Sequence, residues 1–63
     1  MKYQKATEEE AMVAAKRYAM LWRKPAYVAA CGPMFTIEPV APFFKRSHYI
    51  VYPNGATEFV AGK

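Results

Sequence analysis

The chain has no aspartate, and it has only one cysteine, one histidine, one serine and one leucine among 63 residues. Each shortage closes a route. Without Asp there is no Ser-His-Asp triad, and the lone Ser47 directly precedes His48, so on a strand the two point to opposite faces. Cys31 cannot close a disulfide within the chain, and Cys31 with His48 falls short of a zinc ligand set. Cys31 as nucleophile with His48 as base is the remaining covalent arrangement. Cys31 reads instead as a small buried hydrophobe, and His48 as a strand-entry residue beside Lys45 and Arg46. Glu38 and Glu58 would serve acid–base chemistry only if the fold brought them together, and both read as solvent-facing. No glycine-rich phosphate loop is present. The expectation is a protein that is not an enzyme, has no cofactor or metal, and takes no small-molecule substrate.

Long hydrophobic runs are also missing. The longest uncharged stretch, Pro25 to Ile37, is interrupted by Gly32-Pro33 and is too short to span a bilayer. The opening Met1-Lys2-Tyr3-Gln4-Lys5 is polar and no signal core follows it. These features predict a cytoplasmic protein with a reduced thiol and no membrane partner.

What is present is apolar and basic. Hydrophobic residues make up 54% of the chain, and the net charge is +4. All five acids are Glu, and Glu8, Glu9 and Glu10 stand together, so the remainder is more basic than the total suggests. Such a balance favours nucleic acid, an anionic surface or an acidic protein as partner. The length allows a single small domain, residues 1–63, that buries only ~60% of its unfolded surface. A core this small favours self-association or a partner surface.

Residues 1–6 read as a lead-in. Thr7 is a good N-cap, with Glu10 placed to complete a capping box. Three glutamates suit the positive end of a helix dipole, and Arg23 and Lys24 suit the negative end. Pro25 disfavours helical geometry at Lys24, so the helix is expected over about 8–24. At 100° per residue, Ala11, Met12, Ala14, Ala15, Tyr18, Ala19, Leu21 and Trp22 form one broad apolar arc. Tyr18, Leu21 and Trp22 supply most of its volume. Val13 and Met20 break the pattern by lying on the charged face.

Beyond Pro25 the pattern shifts to strands. Ala26 to Cys31 and Met34 to Val40 read as two strands joined at Gly32-Pro33. A short helix over 25–31, with Pro25 at its first position, is the competing reading. A loop follows, and then His48 to Val60 reads as a hairpin. The turn Pro53-Asn54-Gly55 predicts a type I turn with Gly55 left-handed in a bulge, because Pro53 suits position i+1 and cannot donate a ladder bond. That register sets Tyr49 opposite Phe59 on one sheet face. His48, Ile50, Tyr52, Val60 and Glu58 then share the other. The predicted fold is α+β: one N-terminal amphipathic helix packed on an antiparallel sheet of three or four strands.

One helix can cover only one face of this sheet, yet both hairpin faces are apolar. The expected function is therefore a small binding module, of accessory or inhibitor type, that docks on a protein partner or on a second copy of itself. Val13, Met20, Ile50, Tyr52 and Val60 are the expected contact residues. The competing reading is a nucleic-acid binder. Phe43, Phe44, Lys45 and Arg46 interleave aromatics with cations, and Lys16, Arg17, Arg23 and Lys24 would contact phosphates. No helix-turn-helix, zinc-finger or RNA-recognition pattern accompanies them.

Overall fold

The structure, a computed structural model, describes residues 3–42 and 46–62. One helix packs on a five-stranded antiparallel sheet. In chain order the elements are β1 (Tyr3–Lys5), α1 (Glu8–Trp22), β2 (Ala26–Cys31), β3 (Met34–Glu38), β4 (His48–Val51) and β5 (Thr57–Val60). The strand order is β1-β3-β2-β4-β5.

The α+β class and single helix match the sequence reading, and the strand count does not. The fifth strand is β1, within the stretch read as a lead-in. It pairs with β3 through Tyr3↔Ile37, Gln4↔Thr36 and Lys5↔Phe35. Three residues of mixed polarity carry no periodic signal of their own. They become a strand only because β3 offers a free edge. The stretch 26–31 is a strand, not a short helix.

The helix begins as its cap dictates. Thr7 is extended at φ −124°, and its hydroxyl accepts from the Glu10 amide at 3.2 Å. The same hydroxyl donates to the Glu10 carboxylate at 3.0 Å. The helix ends at Trp22, two residues earlier than expected, because Arg23 turns left-handed at φ 57°. Lys24 then precedes Pro25, whose ring excludes the helical region for it.

Ala11, Ala15 and Ala19 are fully buried against Ala26, Val28, Ile37 and Val51. Methyl side chains let the helix sit close on the sheet, so its buried stripe is narrow. Met12, Tyr18 and Trp22 flank that stripe and pack against it. Tyr18 and Trp22 stack with ring centroids 5.4 Å apart. Leu21, expected to fill the core, is instead 71% exposed. Six residues on from Ala15, it lies about 120° from the centre of the stripe, beyond the reach of a closely seated sheet.

Two tight turns set the registers. Gly32 at φ +61° followed by Pro33 links Cys31 directly to its partner Met34. A positive φ at the first of two turn residues suits a hairpin, and glycine supplies it without strain. In the second hairpin the Gly55 amide donates to the Tyr52 carbonyl at 2.9 Å and Gly55 has φ +90°. The Tyr52 amide donates to the Ala56 carbonyl at 2.8 Å, and the Ala56 amide donates to Asn54 Oδ1 at 3.0 Å. Tyr49↔Phe59 and Val51↔Thr57 follow, which is the predicted register.

Candidate interaction face

Side chains alternate across a strand, so the pairings assign every strand residue to one face. Residues level with Val28, Ile37 and Val51 lie under the helix. The other face carries Gln4 from β1, Tyr27, Ala29 and Cys31 from β2, Met34, Thr36 and Glu38 from β3, His48 and Ile50 from β4, and Glu58 and Val60 from β5. Tyr52 extends it beyond the end of β4. Among the described residues no helix or strand lies over this face; the β3–β4 connection, residues 39–47, leads from one end of the sheet to the other, and 43–45 within it lie outside the described residues.

Its centre is low and its borders are high. Ala29 and Thr36 are 6% and 7% exposed, and the Thr36 hydroxyl donates to the Ala29 carbonyl at 3.3 Å. Tyr27, His48, Ile50, Tyr52 and Val60 are half-buried around them. The rings of Tyr27 and His48 meet at 5.8 Å. Tyr52 Oη donates to the Glu58 carboxylate at 2.9 Å, so the carboxylate is held on the face by a neighbouring ring. That hydrogen bond is the first cause of a Tyr52 pKa above the ordinary 10.0. Partial burial and the charges of Glu58 and Tyr27 add to it.

One transverse row organises the face. Glu38 pairs with Tyr27, Tyr27 with Ile50, and Ile50 with Glu58. Strands about 4.8 Å apart set the Cα atoms of Glu38 and Glu58 roughly 14 Å from each other, with Tyr27 and Ile50 between them. Glu38 and Glu58 therefore stand at opposite ends of the row, three strand spacings apart.

The expected contact residues fall into two sets. Ile50, Tyr52 and Val60 stand together on the open face. Val13 and Met20, 60% and 66% exposed, lie on the outer surface of the helix, on the opposite side of the domain. Seven residues make almost two whole turns, so Val13 and Met20 share the outer side of the helix, away from the sheet. Val13 instead borders a shallow groove of about 520 Å³ between helix and edge strand, lined also by Lys5, Ala14, Arg17 and Tyr18. Tyr27 and Glu38 belong to the open face and were absent from the expected set. Counting back from the Gly32-Pro33 turn would have paired them with each other. Joining them to Ile50 required the order β3-β2-β4.

The cations expected to meet nucleic acid do not converge. Lys16 and Arg17 are exposed on the helix, and Arg23 and Lys24 are exposed at its C-terminal end. Arg46 precedes β4 at the opposite end of the sheet, where Glu8, Ser47 and His48 border one small pocket. Phe43, Phe44 and Lys45 lie outside the described residues. No strand position on the open face carries Lys or Arg.

Other polar groups are committed locally. Ser47 Oγ accepts from the Gly62 amide at 2.7 Å, and His48 Nδ1 donates to the Arg46 carbonyl at 2.8 Å. Cys31 is a free thiol, half-buried at the end of β2. Among the described residues no three His, Cys, Asp or Glu side chains gather as a metal site, and no helix is long and apolar enough to cross a membrane. No family model, curated protein or solved structure matches the chain.

Proposed function

We propose that this protein is a non-enzymatic docking module that binds another protein through the open face of its sheet. The observation that carries the reading is the contiguous set Tyr27, Ile50, Tyr52 and Val60, placed on one face by the strand registers while the single helix packs on the other. Tyrosines and aliphatic residues framed by polar groups are the composition of an interface centre and its rim. Burying that apolar surface contributes about 25 cal/mol per Å² toward association. A single free thiol and the absence of an intrachain disulfide accord with a reducing, cytoplasmic setting.

The test is capture of partners from the lysate of the protein's own host after nuclease treatment, with wild type, Tyr52→Glu and Ile50→Arg compared. Amide spectra establish that each variant keeps its fold. Loss of a captured protein with both variants supports the reading. Folded variants that retain every wild-type partner overturn it. Sedimentation of the same samples identifies the case in which the partner is a second copy, since both variants would then shift a dimer to monomer.

A further inference from the structure

The two edges of the sheet differ. β1 is three residues long and carries Lys5, and both features discourage pairing with another chain. β5 contains neither Lys nor Pro. Thr57, Glu58 and Phe59 are exposed, and no described strand pairs with the outer edge of β5.

The hairpin fixes which groups that edge offers. The bond from the Tyr52 amide to the Ala56 carbonyl closes one rung of the ladder. In an antiparallel pair such rungs recur at every second residue, so Ile50 exchanges bonds with Glu58, and His48 with Val60. The amides and carbonyls of Thr57 and Phe59 therefore point away from the sheet. The Phe59 ring stands beside them on the helix side, 55% exposed, because α1 packs over β4 and stops short of β5.

We propose that the β5 edge pairs with the β5 edge of a second copy, antiparallel about a two-fold axis at Phe59, joining two sheets into one. Outward-pointing residues must meet outward-pointing residues, so the axis falls at a residue and not between two. Only Glu58 and Phe59 as centres keep three successive pairs within Thr57–Val60. An axis at Glu58 sets two carboxylates directly opposite each other in the closer kind of antiparallel pair, which repels. An axis at Phe59 sets ring opposite ring, Glu58 opposite Val60 of the second copy, and Thr57 opposite Ala61. Tyr49 and Phe59 already meet at 5.0 Å, so the pairing extends one aromatic row, Tyr49-Phe59-Phe59-Tyr49, across both chains. The helices of the two copies lie on the same side, with both β5 strands between them. Any extended segment could take the main-chain bonds. The match of ring to ring and of carboxylate to valine is what a second copy adds. This edge is separate from the face of Ile50 and Tyr52, so the inference goes beyond the docking reading and does not depend on it.

The test follows the full chain by sedimentation from about 0.02 to 2 mM, a range suited to the small interface that one short strand provides. A monomer at the low end and a dimer at the high end are expected. Hydrogen exchange of the wild type at both ends needs no variant. The Phe59 amide should exchange about tenfold or more slowly in the dimer, as a newly made hydrogen bond requires. Two variants then address the edge. Thr57→Pro removes an outward donor at the first residue of the strand, where an edge tolerates proline. Phe59→Lys replaces the ring with a charge that guards the edge. Both leave the β4–β5 rungs intact, amide spectra check the fold, and each should weaken the dimer about tenfold or more. Tyr52→Glu and Ile50→Arg should leave it unchanged. A strict monomer throughout, a Phe59 amide that exchanges equally fast in both states, or a dimer kept by both folded edge variants would each overturn the proposal. So would a dimer lost with Tyr52→Glu and Ile50→Arg alone, which would assign self-association to the docking face instead.

Discussion

On the helix side of the sheet, Val28, Ile37 and Val51 are buried completely, whereas on the other side Tyr27, Ile50 and Tyr52 stay half-buried. The residues beneath the helix are small or compact and β-branched, matched to a stripe of alanines at close approach. Those on the open side are larger, several carry polar tips, and carboxylates border them. The contrast separates two tasks that apolar residues perform. Packing under the helix requires volumes that fit a fixed partner already in the chain. The other side instead presents rings and carboxylates that stay half-buried or exposed, with the Tyr52 hydroxyl donating to Glu58. The two sides differ at the rim as well. The helix packs over β1, β2, β3 and β4 but does not reach β5, so Phe59 on the helix side is 55% exposed, its ring resting on Tyr49 at 5.0 Å.

The sharpest comparison uses one residue type on each side. Ile37→Ala is expected to destabilise by about 2–5 kcal/mol, since it empties the centre of a small core. Ile50→Ala should cost about 1 kcal/mol or less, because water fills the space left on the open face. Urea denaturation of both variants checks the difference, and equal losses would show the open face to be covered within the chain.

Gly55→Ala would disturb the turn that sorts the hairpin onto its two faces. A Cβ there meets nothing within 4 Å, so the cost comes from the backbone at φ +90° alone. About 1–2 kcal/mol is expected, read as a lowered denaturation midpoint with helix content unchanged in the folded baseline.

Leu21→Ala should change stability by no more than about 0.5 kcal/mol, as its side chain is already in solvent. A larger loss would mean that the helix is rolled about its axis relative to the sheet.

The smallest effects concern one tyrosine on each side. The Glu8 carboxylate raises the Tyr49 pKa chiefly through its charge, and the Tyr52–Glu58 hydrogen bond raises that of Tyr52. Both hydroxyls therefore stay protonated to higher pH in the folded chain than in the unfolded one. Their contribution to stability is present below the ordinary tyrosine value and is lost as pH rises through the raised values. Glu8→Gln should lower the Tyr49 pKa alone, and Glu58→Gln that of Tyr52 alone, as followed by tyrosinate absorbance. Crossed effects would place the two tyrosines on a common face.

Sequence reasoning reached what short-range chemistry controls. The Thr7 cap, the stop before Pro25, the strand over 26–31 and the Pro53-Asn54-Gly55 turn all depend on residues within a few positions of one another. The hairpin register followed from that turn, and with it the grouping of Ile50, Tyr52, Val60 and Glu58. Tertiary structure alone decided the rest. Tyr3–Lys5 pairs with β3 across the length of the helix, a contact that leaves no periodic mark on three residues. Leu21 lost its place in the core because alanine packing draws the sheet close and narrows the stripe. Glu38 and Tyr27 reached Ile50 and Glu58 because β2 lies between β3 and β4, an order that no local preference encodes. Propensities and turns act within a few residues along the chain. Strand order and face coverage arise from which surfaces bury one another, and that is settled only when the whole sheet closes against its helix.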